Sequence, residues 1–427
     1  TKPFYSLKKN IVGETSKSKI LKIINFLKSN KADYLFISAP ENVAWLLNIR
    51  GYDNPNSPIP NSRVIISKDK KLFLIAKKNN IKKIINQRII QKNQIIDIGD
   101  LPNFINKLTK KKFIIDDKTC SIFYENIIKS KFQILDKNDP IYRLKSIKNL
   151  YEINHTIEAH KKDGLALTRF IYWIKNKNKK LITEVDAQNK LEKFRKLNGD
   201  YLFPSFNTIA GTGSNGAIVH YRAKKQTTKK INKNDIFLCD SGGQYRYGTT
   251  DVTRTLCFSN QKIKIKNAFT NVLKGHIAVA LTNLSKDNTG KKIDIRARKF
   301  LKKEGLDYAH GTGHGVGFFL NVHEGPQSIS KYNSVKIEKG MILSNEPGYY
   351  KKNNFGIRIE NLVYVKQIKN RLCFQNLTLA PIEKELINYD LLDKNEKDYL
   401  FKYHLNLYSE YSALLNKKER KWLATLI

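Results

Sequence analysis

Residues 236–255, IFLCDSGGQYRYGTTDVTRT, open on an apolar strand, pass through a glycine-rich turn and close on a second strand. Read as a hairpin with its turn around Tyr247–Gly248, the stretch puts Asp240 on one arm and Asp251 on the other. Two carboxylates held close in a partly buried site repel each other, so one stays protonated or a cation lies between them. The theme recurs downstream. SNEPGYY (344–350) sets Glu346 at the end of an apolar strand, and GIRIENLVYV (356–365) sets Glu360 inside one. An acid embedded in IRIENLV is not solvated surface and needs a buried partner.

Between these segments lies HGTGHGVGFFLNVHEGP (310–326), which holds His310, His314 and His323 of a chain with only eight histidines. Adding one imidazole to the four acids makes a set of oxygen donors with a single nitrogen. That set suits a pair of hard or borderline divalent ions, Mn²⁺, Co²⁺ or Zn²⁺. Two such ions bridged by carboxylates and a hydroxide form a hydrolytic centre. The competing account pairs the acids with the nearby Arg254 and Arg358.

Working outward, FNTIAGTGSNGAIVHYRA (206–223) and GMILSNEPGYY (340–350) are strand-like and turn-punctuated, as expected of an α+β domain with antiparallel strands. One helix, AFTNVLKGHIAVALTNL (268–284), separates the strand segments. A helix is expected over 183–198, with Thr183 and Asp186 at its N-terminus, and helical spacing runs from 143 to 177. Before that, KILKIINFLKS (19–29) reads as a helix. DYLFISA, RVIISKDKKLFLIAK, IIDIGD and KFIIDD read as strands, so the first part of the chain alternates strand and helix as an α/β domain. Helix-like segments resume beyond 385.

The chain of 427 residues fits two or three domains, with 41% apolar residues and 27% charged ones. No apolar run reaches membrane-spanning length, and TKPFYSLKKN carries no signal-peptide core. The four cysteines are scattered without a CxxC pair, which reads as a reducing, cytoplasmic protein. The net charge of +40 raises nucleic acid as a partner. Lysine, however, is spread throughout alongside abundant Asn and Ile, as A- and T-rich codons produce, and forms no separate stripe.

The motifs at 206–223, 240–255, 310–326, 344–350 and 356–362 resemble the catalytic domain of the pita-bread metallopeptidases. Within them they are most similar to the eukaryotic-type aminopeptidase P, the Xaa-Pro aminopeptidases. ENVAWLLNIRG (41–51) resembles the creatinase-type domain that precedes the catalytic one, and TLAPIEKELINYDLLDKNEKDYLFKYH (378–404) resembles the extension that follows it. The resemblance implies an α/β creatinase-like domain over 1–142, an α+β pita-bread catalytic domain over 143–384 and a helical extension over 385–427.

It also implies roles. Asp240 would chelate one metal through both oxygens, Asp251 and Glu360 would bridge, and His314 and Glu346 would complete the second ion, with manganese placed before cobalt or zinc. His310 would lie in the substrate cleft, His323 would stabilise the oxyanion of the scissile carbonyl, and His220 would line the site near the penultimate proline. Glu346 would relay a proton to the leaving nitrogen, with Tyr350 and Arg358 on the product side. His155, His160, His276 and His404 are expected to be structural or surface residues. The implied activity is release of the first residue from peptides with proline second, by a homodimer.

A prolidase restricted to Xaa-Pro dipeptides uses the same donors, and the extension argues for the aminopeptidase. Methionine aminopeptidase would leave the first domain unexplained, and a peptide- or nucleic-acid-binding pita-bread module would be expected to lack the ligands. Eukaryotic-type members carry two domains before the catalytic one, against one here. Met341 is the only Met. The chain is therefore expected to be processed or part of a longer protein.

Overall fold

The computed structural model describes residues 2–177 and 182–427, and the chain divides into two compact units after Glu152. The division lies beyond the expected 142/143 boundary because the helix Pro140–Ser146 packs on the helices Ser16–Ser29 and Pro40–Leu47 of the first unit. Asp139 caps that helix, accepting from Ile141 N at 2.9 Å and from Asn42 Nδ2 at 2.8 Å.

The first unit is built on a six-stranded mixed sheet. Its order is Ile95–Ile96, Leu72–Ile75, Arg63–Ser67, Tyr34–Ile37, Lys112–Ile115 and Gln133–Asp136. The central strands Arg63–Ser67, Tyr34–Ile37 and Lys112–Ile115 are buried on both faces, which is why they read as unbroken apolar runs. The helix Ser16–Ser29 buries Ile23, Ile24 and Leu27 along one stripe and is capped by Thr15, whose side chain accepts from Ser18 N.

The second unit has the expected α+β character. Ile236–Ser241 pairs antiparallel with both Ile209–Thr212 and Val252–Cys257. A five-stranded sheet runs in the order Glu324–Ile329, Gly313–Gly315, Ile342–Asn345, Asn361–Ile368 and Arg371–Asn376. Thr183 and Asp186 form the capping box of the helix Glu184–Lys196. The helix Ile263–Ala280 is joined by a second, Gly290–Lys303, that the sequence did not suggest. Its apolar positions Ile293, Ala297 and Leu301 make one narrow stripe in a lysine- and arginine-rich segment, so tertiary packing completes what the pattern leaves weak. Among the described residues no helix is long and apolar enough to cross a membrane.

The tail is not a layer apart. Lys394–Tyr411 places Leu400, Tyr403, Leu407 and Tyr411 in one core with Phe269 and Leu273 and with Ile357 and Ile359. Leu407 is fully buried there. Leu407→Ala is expected to cost about 2–5 kcal/mol. A denaturant titration should show the loss in the main unfolding transition of this unit; an unchanged main transition would mean that the tail unfolds independently.

Candidate metal centre

The expected hairpin forms, with its turn one residue earlier. Tyr245 lies opposite Gly248, so Arg246 and Tyr247 make the turn. Asp240 is opposite Thr253, and Asp251 immediately precedes the strand Val252–Cys257, so both acids reach the same end of the ladder. Glu346 immediately follows the strand Ile342–Asn345, as read from the sequence. Glu360 is not inside a strand. It sits in the break between Phe355–Arg358 and Asn361–Ile368, where the chain leaves one sheet for another. Its N–H donates to Thr253 O at 3.1 Å, which ties the break to the hairpin.

His314 comes from the short strand Gly313–Gly315. A Cβ at Gly313 would stand 2.0 Å from Ser344 O, and one at Gly315 would stand 2.4 Å from Glu324 O. Both positions therefore require glycine for close backbone approach. Gly311, expected to serve the same end, has no atom nearer than 3.4 Å to such a Cβ.

Carboxylate oxygens of Asp240, Asp251 and Glu360 lie within 4.8 Å of one another, as do ligand atoms of His314, Glu346 and Glu360. Asp251, His314 and His323 make a further such group. Burial, reinforced by mutual repulsion, pushes the Asp251 and Glu360 carboxyls well above the usual carboxylate range. Burial also raises Asp240, against the pull of Arg358.

The arginines do not neutralise the set. Arg358 Nη2 donates to Asp240 Oδ2 at 2.6 Å, while Arg254 reaches the carbonyl of Glu360 and not its carboxylate. Asp240 Oδ1 is buried with no hydrogen-bond partner among the described residues. His314 Nδ1 bonds Gly315 O at 2.9 Å, which leaves Nε2 as the acceptor nitrogen, 3.4 Å from both Asp251 Oδ2 and Glu346 Oε1. An unpaired buried oxygen of Asp240 and mutually repelling acids around an oriented imidazole lone pair fit divalent cations.

These groups line a cavity of about 510 Å³ together with His220, His310, His323, Arg222 and Arg358. His323 keeps part of its surface open to solvent, but its imidazole, with its ring centroid 3.9 Å from that of His314, is desolvated within the cleft, which together with His314 pulls its pKa down to about 4. Tyr350 is not among the cavity walls. Arg358 Nη1 donates to its hydroxyl at 2.6 Å, and that hydroxyl lies 2.9 Å from His310 Nε2. With His310 Nδ1 at 2.7 Å from Gly311 O, the chain of donors runs from Arg358 through Tyr350 to a neutral His310. His160, His276 and His404 are buried, as expected of structural residues.

Two supporting residues escaped the sequence reading. Thr253 Oγ1 donates to Glu360 Oε2 at 2.7 Å. Ser344 Oγ donates to Glu346 Oε1 at 2.9 Å and accepts from His314 N at the same distance. For Ser344 a signal was available, since it stands two residues from Glu346, a spacing that extended chain puts on one side, whereas the partner of Thr253 is distant in sequence.

A donor set of this kind on this fold defines a candidate metallohydrolase. Residues 154–367 match metallopeptidase family M24, 1–152 match the creatinase/prolidase N-terminal domain, and 370–426 match the C-terminal region of peptidase M24. The chain is 36% identical to Xaa-Pro aminopeptidase 1 of Dictyostelium discoideum, over 99% of this chain and 70% of that protein. It superimposes on the X-prolyl aminopeptidase of Caenorhabditis elegans, described as a cytosolic enzyme with a di-nuclear active site. There the TM-score is 0.90 and the identity 30%, covering 100% of this chain and 72% of the other. A prolidase from Pyrococcus furiosus shares the fold at TM-score 0.68 and 24% identity, covering 84% of this chain and 99% of the other. The chain belongs to metallopeptidase family M24. It spans about two thirds of the length of the first curated relatives it matches.

Binding of a cation to the folded state alone raises stability by mass action, about 2.7 kcal/mol at a hundred times the dissociation constant. Mn²⁺ is therefore expected to raise the melting temperature of the wild type by several degrees and that of Asp251→Asn far less. Equal shifts in a calorimetric scan would separate Asp251 from the metal.

Proposed function

We propose that this chain is a metal-dependent aminopeptidase that releases the first residue from peptides with proline in second position. The observation that carries the reading is the cluster of Asp240, Asp251, His314, Glu346 and Glu360 facing one open cavity beside His323. The C-terminal region at 370–426 and the curated Xaa-Pro aminopeptidases support the aminopeptidase over the dipeptidase.

Those five side chains would hold two divalent ions, which when bound supply Lewis acidity and water ionised near neutral pH. The protein contributes the rest. His323, neutral near pH 7, presents an N–H to the scissile carbonyl, where it stabilises the charge that develops on oxygen. Glu346 has one oxygen anchored by Ser344, which holds the carboxylate in place to take a proton and pass it to the departing nitrogen. That delivery is required because an amide nitrogen departs only once it is protonated, and in an Xaa-Pro bond that nitrogen also carries no N–H for the site to recognise. For the same reason the site reads ring shape, and Phe206, Val219 and Val322 supply apolar wall next to His220. Burial, aided by the Arg358 charge, lowers the His310 pKa, and Arg358, held between Asp240 and Tyr350, orients the ring on the cleft through the Tyr350 hydroxyl.

Manganese is proposed as the working metal before cobalt or zinc. A cytosolic location is supported by free cysteines throughout the described residues and by the nematode neighbour described as cytosolic. Assembly as a homodimer rests on the family resemblance.

The test offers an Xaa-Pro-Pro tripeptide and an Xaa-Pro dipeptide side by side with Mn²⁺ and follows release of the first amino acid. Cleavage of the tripeptide, abolished by chelator, is expected. Cleavage of the dipeptide alone would make the chain a prolidase, and no cleavage of either would overturn the reading. His323→Ala should lower kcat by roughly 10²–10³, with a smaller change in KM.

A further inference from the structure

Arg254 lies on the strand that follows Asp251 and is 2% exposed. Its Nη1 donates to the carbonyls of Thr253 at 2.8 Å and Glu360 at 2.6 Å. Nε donates to Pro381 O at 2.9 Å. Nη2 meets Asn361 Oδ1 at 2.8 Å, Ala380 O at 2.9 Å and the hydroxyl of Tyr403 at 3.0 Å. The guanidinium thus grips the backbone of a candidate metal ligand on one side and the C-terminal region on the other. Burial draws its pKa below the ordinary arginine value, as expected of a desolvated cation held by neutral acceptors.

Tyr403 closes this arrangement from the tail helix. Its hydroxyl accepts from Ala380 N at 3.0 Å as well as from Arg254, and its own proton lies toward the carbonyls of Ala380 and Thr378, at 3.0 and 3.2 Å. The phenol is 3% exposed, so no solvent stands ready to replace it. The next residue, His404, accepts from Ile382 N at 3.3 Å, so the helix is pinned to the segment 378–382 at two successive side chains. On the other face of Arg254, Glu360 is constrained twice by Thr253, through N–H to carbonyl and through hydroxyl to carboxylate. A hydrogen-bonded path thus runs from the main chain of Glu360 through Arg254 to Tyr403 in the tail.

We infer that Tyr403 is a positioning residue for the metal centre, acting through Arg254 on Glu360, so that the C-terminal region forms part of the support that sets metal affinity. The inference rests on the reading of Glu360 as a metal ligand. Residues that orient a ligand without touching the ion commonly change affinity by about 10–100-fold when removed. Without the hydroxyl, Arg254 Nη2 and Ala380 N lose a buried acceptor, and the guanidinium can relax away from the Glu360 carbonyl.

The experiment is a calorimetric titration of Mn²⁺ into the metal-stripped full chain, for the wild type and for Tyr403→Phe, Tyr411→Phe and Glu360→Gln. Tyr411 sits on the same helix and donates to Leu379 O at 3.2 Å, but it makes no hydrogen bond to Arg254. Tyr403→Phe is expected to weaken Mn²⁺ binding about 10-fold, Tyr411→Phe to leave it unchanged, and Glu360→Gln to weaken it most. Wild-type affinity in Tyr403→Phe, or an equal loss in Tyr411→Phe, would overturn the inference while leaving Glu360 as a ligand. Wild-type affinity in Glu360→Gln would overturn the ligand reading itself, and the inference with it. Amide exchange in the wild type gives a second measurement that needs no folded variant. Mn²⁺ should slow exchange at Ala380 and in Lys394–Tyr411, because coupling between two sites is reciprocal. Unchanged exchange there would also overturn the inference.

Discussion

The repulsion among Asp240, Asp251 and Glu360 is the constraint around which the second unit is arranged. Their oxygens lie within 4.8 Å of one another in a buried place, where like charges interact far more strongly than in water. Such a group persists because the backbone around it is held by other means. Asp240 and Asp251 are carried by a hairpin whose strands pair over their whole length, and Glu360 is tied to that hairpin through Thr253. The energy of strand pairing and of the apolar faces beneath holds the acids together, and a bound cation would supply the complementary charge.

Around the acids the polar groups divide the work by distance from the cavity. Ser344 and Thr253 each donate to one carboxylate oxygen, of Glu346 and of Glu360 respectively. Arg358 serves Asp240 with one nitrogen and Tyr350 with another, so a single cation is hydrogen-bonded to an acid and, through the phenol, to an imidazole. Arg254 works from the opposite side and contacts only main chain, amide and phenol. The two arginines that seemed able to neutralise the acids thus do different things, and among the described residues neither hydrogen-bonds the carboxylate of Asp251, Glu346 or Glu360.

Much of the site was legible from local chemistry. Acids inside apolar strands and an imidazole between glycines are improbable except as a buried donor set, and the motifs at 240–255 and 310–326 are specific. The strand face of Ser344 was readable by alternation. Glu360 was misplaced within its strand because an apolar run reads alike whether it continues one sheet or crosses between two. The helix Gly290–Lys303 went unread because one narrow apolar stripe in a basic segment carries little signal without its partner surface.

By itself the sequence determined which residues could act as donors and that their surroundings were apolar. It also determined that a strand–turn–strand unit would carry two of the acids, since these follow from residue type and short-range periodicity. Tertiary structure alone decided which oxygens remained unpaired. Whether Arg358 or Arg254 reaches a carboxylate depends on side-chain paths between strands more than a hundred residues apart. It also decided that the tail belongs to the same core as the strand behind Glu360, through Tyr403, Leu407 and Ile359. Contacts between segments that far apart leave no local pattern in the chain, because burial and hydrogen-bond satisfaction are settled only when the surfaces meet.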